Sequence, residues 1–529
     1  MSTCWQSALS CQLAAALALV LLVHPAQTCT RPAMSATPTR ARVAPVAPVR
    51  RAGRACPSPR RARPARASSD ARGTVANTLP RRAALALSGA SSLATGAAAL
   101  GASAGASPPP SPASSPAFAR SGAAIHRVVF EDARVAIPGS GQSVPVATWF
   151  PDASGAPDER RDEMSSPGVL YYPHAISVAK IARVLLNTPE STPRWLDRST
   201  PLLAAPGVRV AARGETGRLT KSFDKVAVLC HGYLGSRFDL VDLAEALANE
   251  GFLVLAPEFA ESLASPETTP AYARPGAPPP KNPSATRDEV VDAALRAFAP
   301  GFFSPAPESI DSSTSETGSV RVPRVVIAGQ SAGASTATSA RGPFAARVAI
   351  AGFRPPEALE AREALLRDPL LVVASAGDGV ISLYPRESGA FGAYEGIAAS
   401  VEKMPSRVPK YDIGAFAARV GEIRAARDAD EPSAFSETLR GNGALNAFVT
   451  YEPPGGDGGA TTGLPTHISF LSSRTNDAMV EVLSPLLPVA RAVGVPVLDF
   501  DKYQIARDSD AVNARLVPLI AEWLNAAVE

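Results

Sequence analysis

The sequence predicts a mixed α/β fold built on one mostly parallel sheet, and three observations predict it. Short, continuous, β-branched apolar runs recur from residue 125 onward. Helical apolar patterns alternate with them, as in a sheet covered by helices. Composition divides the chain sharply near residue 120, which sets this alternating part apart from what precedes it.

Eight strands are expected, at about 125–137, 144–151, 226–232, 252–259, 324–330, 346–353, 370–377 and 447–454. The first two suit an antiparallel edge. The later ones, such as VAVLC, FLVLAP, RVVIAG and LLVVASAG, are apolar throughout, as parallel strands buried on both faces must be. LVDLAEALANE (240–250) and RDEVVDAALRAF (287–298) carry apolar residues at helical spacing. Insertions are expected near 152–222, 261–284, 304–320 and 383–445. The first includes a helical pattern at 176–186, and the last reads as largely helical, in a place where a lid could sit.

The biased leader, residues 1–119, reads as targeting information ahead of a single domain, 120–529. Residues 1–120 hold 14 arginines, no lysine and one acid, Asp70, a formal +13. With the whole chain at +3, the remaining 409 residues carry −10, which argues against a nucleic-acid partner. An apolar run at 11–29, an Arg/Ser/Pro-rich stretch at 30–80 and Arg81-Arg82 before a weakly apolar run follow in order. They have the chemistry of a signal peptide, a transit peptide and a twin-arginine signal. That order resembles the leaders of thylakoid-lumen proteins in plastids; the alternatives are secretion, or anchoring through residues 11–23. Four of the five cysteines lie in the leader, so Cys230 alone remains, too few for an internal disulfide.

VVIAGQSAG (325–333) is a buried-strand pattern running into Gly329-Gln330-Ser331-Ala332-Gly333. A nucleophilic serine on a sharp strand-to-helix turn needs neighbours without bulk two residues away on each side, here Gly329 and Gly333. The pattern alone is weak, since Gly101-Ala102-Ser103-Ala104-Gly105 matches it too. That second match follows no strand, and context selects Ser331.

A serine hydroxyl needs a base. The one histidine beyond Ser331 is His467, shortly after the strand AFVTYEPP. A lone histidine often has no duty, but this one is unique and correctly ordered. The base needs an acid to hold its tautomer. Asp378 stands at the end of LLVVASAGDGV, although Asp-Gly is also ordinary turn chemistry. The turn after the preceding strand, AGFRPP, offers no acid. Oxyanion donors are expected from the amides of Ala332 and Tyr233, with Leu234 the alternate, because VAVLCHGYLGSR places a His-Gly pair at a strand end. His231 would shape that loop, and Cys230 would be a buried strand residue.

HGYLGSRFDLVDLAEALANEGFLVLAPEF (231–259), GQSAG, the late histidine and VPVATWFPD (144–152) resemble the platelet-activating factor acetylhydrolase and chlorophyllase group of α/β-hydrolases. The resemblance runs over roughly 140–475. It implies the α/β-hydrolase fold, Ser331 as nucleophile, His467 as base, and Tyr233 and Ala332 as oxyanion amides. Gln330 stands where those families usually have histidine, and Ala334 where a second glycine is frequent; neither is expected to touch the proton relay.

The expected activity is serine-dependent hydrolysis of a lipid or pigment ester, with no cofactor and no metal. Apolar insertions would shield such a substrate, and peripheral contact with the thylakoid membrane is compatible with it. Because histidine titrates near neutral pH, mild acidification should slow the reaction. A lipid acyltransferase with the same three residues and a non-catalytic binding protein are the rival readings.

Overall fold

The computed structural model describes residues 128–152, 171–177, 198–206, 208–210, 223–264, 285–303, 322–385, 394–404, 408–427, 443–453, 463–483 and 509–529. The leader, the helical pattern at 176–186 beyond Ser177, and the insertions at 265–284 and 304–320 lie outside these residues.

All eight expected strands form. In chain order, with two short additions, the strands of the main sheet are β1 Val128–Ala136, β2 Ser143–Pro151, β3 Arg209–Val210, β4 Lys225–Cys230 and β5 Leu253–Pro257. They continue with β6 Arg324–Gln330, β7 Ala346–Ile350, β8 Leu370–Ser375, β9 Lys410–Asp412 and β10 Ala447–Tyr451. The spatial order is β9-β10-β8-β7-β6-β4-β5-β2-β1-β3. The expectation of eight strands is thus extended to ten. The additions, β3 and β9, are only two and three residues long and form the two edges. β2 runs antiparallel to both β1 and β5, and every other pairing is parallel.

Strand periodicity divides the core into two faces. Ala227 and Leu229 of β4, with Val326 and Ala328 of β6, join one cluster. Val226, Val228 and Cys230, with Val325 and Ile327, join another. The first face is covered by helices α1 Val241–Asn249, α6 Ile413–Arg427 and α8 Ser509–Val528, whose residues share its cluster. The other is covered by α2 Arg287–Phe298, α3 Ala332–Ser339, α4 Leu359–Arg367 and α5 Ile397–Glu402. A further helix, α7 Ser473–Leu483, follows the site described below.

Part of segment 383–445 packs into the core. Its described parts are β9, α5 and α6, and Phe416, Val420 and Ile423 of α6 are each at most 1% exposed within the core. These described parts belong to the sheet's edge and its covering. Of the insertion at 152–222, the described part contributes edge strand β3 and two small ribbons, Tyr171–Tyr172 with Leu202–Leu203 and Ala175–Ile176 with Arg198–Ser199. The first ribbon is anchored by the Tyr172 hydroxyl, which donates to Glu245 of α1 at 2.6 Å and accepts from Trp149 at 3.0 Å.

The chain leaves β4 for β5 on one side and later enters β6 on the other. The carboxyl ends of β4 and β6, at such a reversal, are where α/β sheets bind ligands.

Candidate active site

β6 ends at Gln330, and α3 begins at Ala332. Ser331 alone makes the turn, at φ 57° and ψ −119°, a conformation that non-glycine residues adopt at a cost. The turn is tight enough to require both glycines. A Cβ on Gly329 would stand 2.0 Å from the Gly333 carbonyl oxygen, and one on Gly333 would stand 2.0 Å from the Cys230 carbonyl oxygen. The register that pairs Gly329 with Cys230 brings the end of β4 against this turn.

Two other strand ends complete the cluster. The segment after β8 carries Asp378, and the segment after β10 carries His467, at the start of a short 3₁₀ turn His467–Phe470. The two segments pack closely: a Cβ on Gly377 would approach the Pro465 carbonyl oxygen to 2.7 Å. As a result His467 Nδ1 lies 2.8 Å from Asp378 Oδ2, and His467 Nε2 lies 2.9 Å from Ser331 Oγ. Asp378 Oδ1 is occupied by the amides of Val380 and Ile381, at 2.8 and 2.9 Å, which orients Oδ2 toward the ring. An ionised carboxylate only accepts, so Nδ1 carries the proton and Nε2 is left to accept from the serine hydroxyl. Asp378 and His467 are 4% and 8% exposed.

The loop after β4 lies against the same turn, since a Cβ on Gly232 would stand 3.3 Å from Ser331 Cβ. His231 takes no part in the relay. Its Nε2 accepts from the Phe259 amide at 2.9 Å, so its Nδ1 is the protonated nitrogen and donates to the Gly232 carbonyl at 2.7 Å. Both ring nitrogens are spent on backbone, as a loop-shaping residue requires. Leu234 follows at φ 60°, and the Gly235 amide returns to the Gly232 carbonyl at 3.2 Å. Asp239 caps the loop by accepting from the Ser236 amide at 2.9 Å, and burial pushes its carboxyl up to about 7. Ala332 is the first residue of α3, where amides have no acceptor within the helix. Cys230 is fully buried, and burial pushes its thiol up to about 12, the opposite of what a nucleophilic thiol needs.

Searches with this chain found no matching family model and no matching curated protein. Among solved structures it is similar to a ferulic acid esterase from Streptomyces cinnamoneus, at 16% identity over 76% of this chain and 90% of that one, with a TM-score of 0.29. A putative dienelactone hydrolase from Klebsiella pneumoniae matches at 14% identity over 68% of this chain and 98% of that one, with a TM-score of 0.26. The esterase Est22 matches at 11% over 70% and 82%, with a TM-score of 0.26.

Two residues near the relay were not anticipated. Gln330 does reach His467, contrary to the expectation that it stays clear of the relay. Its amide nitrogen donates to the His467 carbonyl at 3.1 Å and lies 3.4 Å from His467 Nε2. The last residue of a buried strand gives no signal of a partner 137 positions away. The second residue is Arg287, at the start of α2, whose guanidinium reaches the loop after β4. Among the described residues, no group of three His, Cys, Asp or Glu side chains is placed to hold a metal. A small open cavity, with room for about one water, borders the loop through Leu234 and Gly235, and Ile176, Leu263 and Met479 give it an apolar lining; Ser331 is not part of that lining.

Proposed function

We propose that this protein is a serine-dependent carboxylic ester hydrolase acting on a lipid or pigment ester. One observation carries the reading: a strained serine at a strand-to-helix turn in hydrogen-bond sequence with His467 and Asp378. In this reading His467 Nε2 takes the Ser331 proton as Oγ attacks the ester carbonyl. Asp378 stabilises the resulting imidazolium. The tetrahedral oxyanion is held by the amides of Ala332 and Tyr233. His467 then returns the proton to the leaving alcohol, and water releases the acyl group from Ser331 by the same relay.

An apolar substrate is supported by the cluster beside the oxyanion loop, where Ile176 and Leu263 pack with Leu234, Met479 and Val482. A thylakoid-lumen location is proposed on the order of signals in the leader alone.

The test uses the full chain, wild type beside Ser331→Ala, with a fluorophosphonate probe and p-nitrophenyl esters of increasing acyl length. Labelling and turnover that disappear in the variant are expected, with rates rising toward longer chains. A folded wild type that neither labels nor turns over ester overturns the proposal in favour of a binding protein. Transfer to added glycerol or phytol in preference to water would make it an acyltransferase.

A further inference from the structure

Arg287 is placed against local preference. As the first residue of α2 it sets a cation at the helix N-terminus, where the macrodipole favours anions such as its neighbours Asp288 and Glu289. The capping box between Thr286 and Glu289 fixes that end of the helix, and with it the origin of the arginine side chain. A residue that opposes its own element and is held firmly there invites the question of what it serves.

The guanidinium reaches three parts of the site at once. Nη1 donates to the His231 carbonyl at 2.8 Å and to the Thr336 hydroxyl of α3 at 3.3 Å, and Nη2 donates to the Gly232 carbonyl at 3.2 Å. Its remaining edge pairs with Glu261, through Nε at 2.6 Å. Its plane lies over Phe259, 4.2 Å from the ring centroid, and the amide of that same Phe259 holds the His231 ring. The site therefore has a cationic buttress behind the loop after β4.

The peptide between Gly232 and Tyr233 is trans, so its N–H points opposite to its carbonyl. The carbonyl is pinned by Arg287, by His231 Nδ1 and by the Gly235 amide. Pinning the carbonyl aims the amide. A cation on the carbonyl also polarises the peptide and strengthens its N–H as a donor, in the manner of linked hydrogen bonds.

We infer that Arg287 is a positioning residue for the oxyanion amide of Tyr233, acting through the Gly232 carbonyl. The inference rests on the serine-hydrolase reading and adds to it a charge that touches neither substrate nor nucleophile. Its contribution belongs to the transition state, where the oxyanion exists, and not to substrate binding.

The experiment compares full-length wild type, Arg287→Lys, Arg287→Met and a control near the end of α6, Arg424→Ala, whose guanidinium is exposed and pairs with Glu522 of α8. Lysine keeps the charge but cannot donate to two carbonyls and the hydroxyl in the fixed guanidinium fork. Rates are expressed per site titrated by fluorophosphonate, so unfolded protein does not enter them, and melting temperature is measured in parallel. The expected result for both Arg287 variants is kcat lower on the order of 10-fold or more, smaller than removing an oxyanion donor outright. KM should stay within about 3-fold, the signature of an interaction made only in the transition state. Affinity for an aryl trifluoromethyl ketone, which forms an oxyanion adduct on serine, should fall in step with kcat/KM. Wild-type kcat per site in Arg287→Lys, or a loss confined to KM or to melting temperature, overturns the inference and leaves Arg287 a structural clamp, while Ser331→Ala still tests the hydrolase reading separately. An inactive, folded wild type removes both.

Discussion

Ser331, Gly329, Gly333 and Gly232 show how little space surrounds the serine at the strand-to-helix turn. The serine occupies a backbone conformation that costs of order 1–3 kcal/mol, and such strain survives only where the surroundings over-determine it. Here the surroundings are backbone. A methyl on Gly333 would meet the Cys230 carbonyl oxygen at 2.0 Å and the His231 carbonyl oxygen at 2.7 Å, neither of which can swing aside as a side chain would. Gly333→Ala is therefore expected to lose about 1–3 kcal/mol of stability or more, read as a lower urea midpoint. An unchanged midpoint would show that the turn is looser than these distances imply. The two glycines, Ser331 and His467 were legible from residue type and order. The contact of Gln330 with His467 and the reach of Arg287 to Gly232 were not, because a side chain's far end depends on packing and not on its neighbours in sequence.

At the scale of elements, apolar runs of five residues or more were readable and shorter ones were not. β3 and β9 have two and three residues, too few for any periodicity, and exist because a neighbouring strand offers them a ladder. α8 was masked by Pro518, which normally ends a helix. It is tolerated because the carbonyl it leaves without a partner, that of Ala514, lies on the exposed side of the helix. The opposite side is deeply seated: Trp523 is 1% exposed and donates its indole N–H to the Leu445 carbonyl at 2.9 Å. Trp523→Ala should cost about 3–5 kcal/mol in urea denaturation while leaving KM unchanged in the folded protein. A loss below about 1 kcal/mol would mean that α8 contributes little to the core.

Across the whole molecule, two buried titratable groups bordering the same cavity pull stability in opposite directions with pH. Burial raises Asp239 to about 7, against an unfolded value near 3.9. Its contribution is fully present below about pH 4 and is lost as pH rises toward 7, because there the unfolded chain has released the proton that the native state still holds. Burial lowers His174 to about 4 from an unfolded value near 6.5, so its contribution is present above that value and is lost as pH falls through the same interval. The two slopes offset one another in wild type. Asp239→Asn removes only the first. The unfolding free energy of the variant is therefore expected to rise relative to wild type as pH goes from 4 to 7, in urea titrations at several pH values. Parallel curves for the two proteins would show that Asp239 is ionised throughout.

Apolar runs, helical spacing and the glycines around Ser331 were enough to predict the α/β class and eight strands, and to single out Ser331, Asp378 and His467, which the fold joins by hydrogen bonds. These are properties of local composition, since a strand buried on both faces and a turn without room for a Cβ each constrain the residues that can form them. Tertiary structure decided what depends on distant chain meeting: that Asp378 and His467, 89 positions apart, share a hydrogen bond, that 408–427 completes the core, and that Arg287 reaches the loop after β4. The reason is physical. A side chain's partners are chosen by the packing of strand ends around those of β4 and β6, and no interval of sequence encodes that distance.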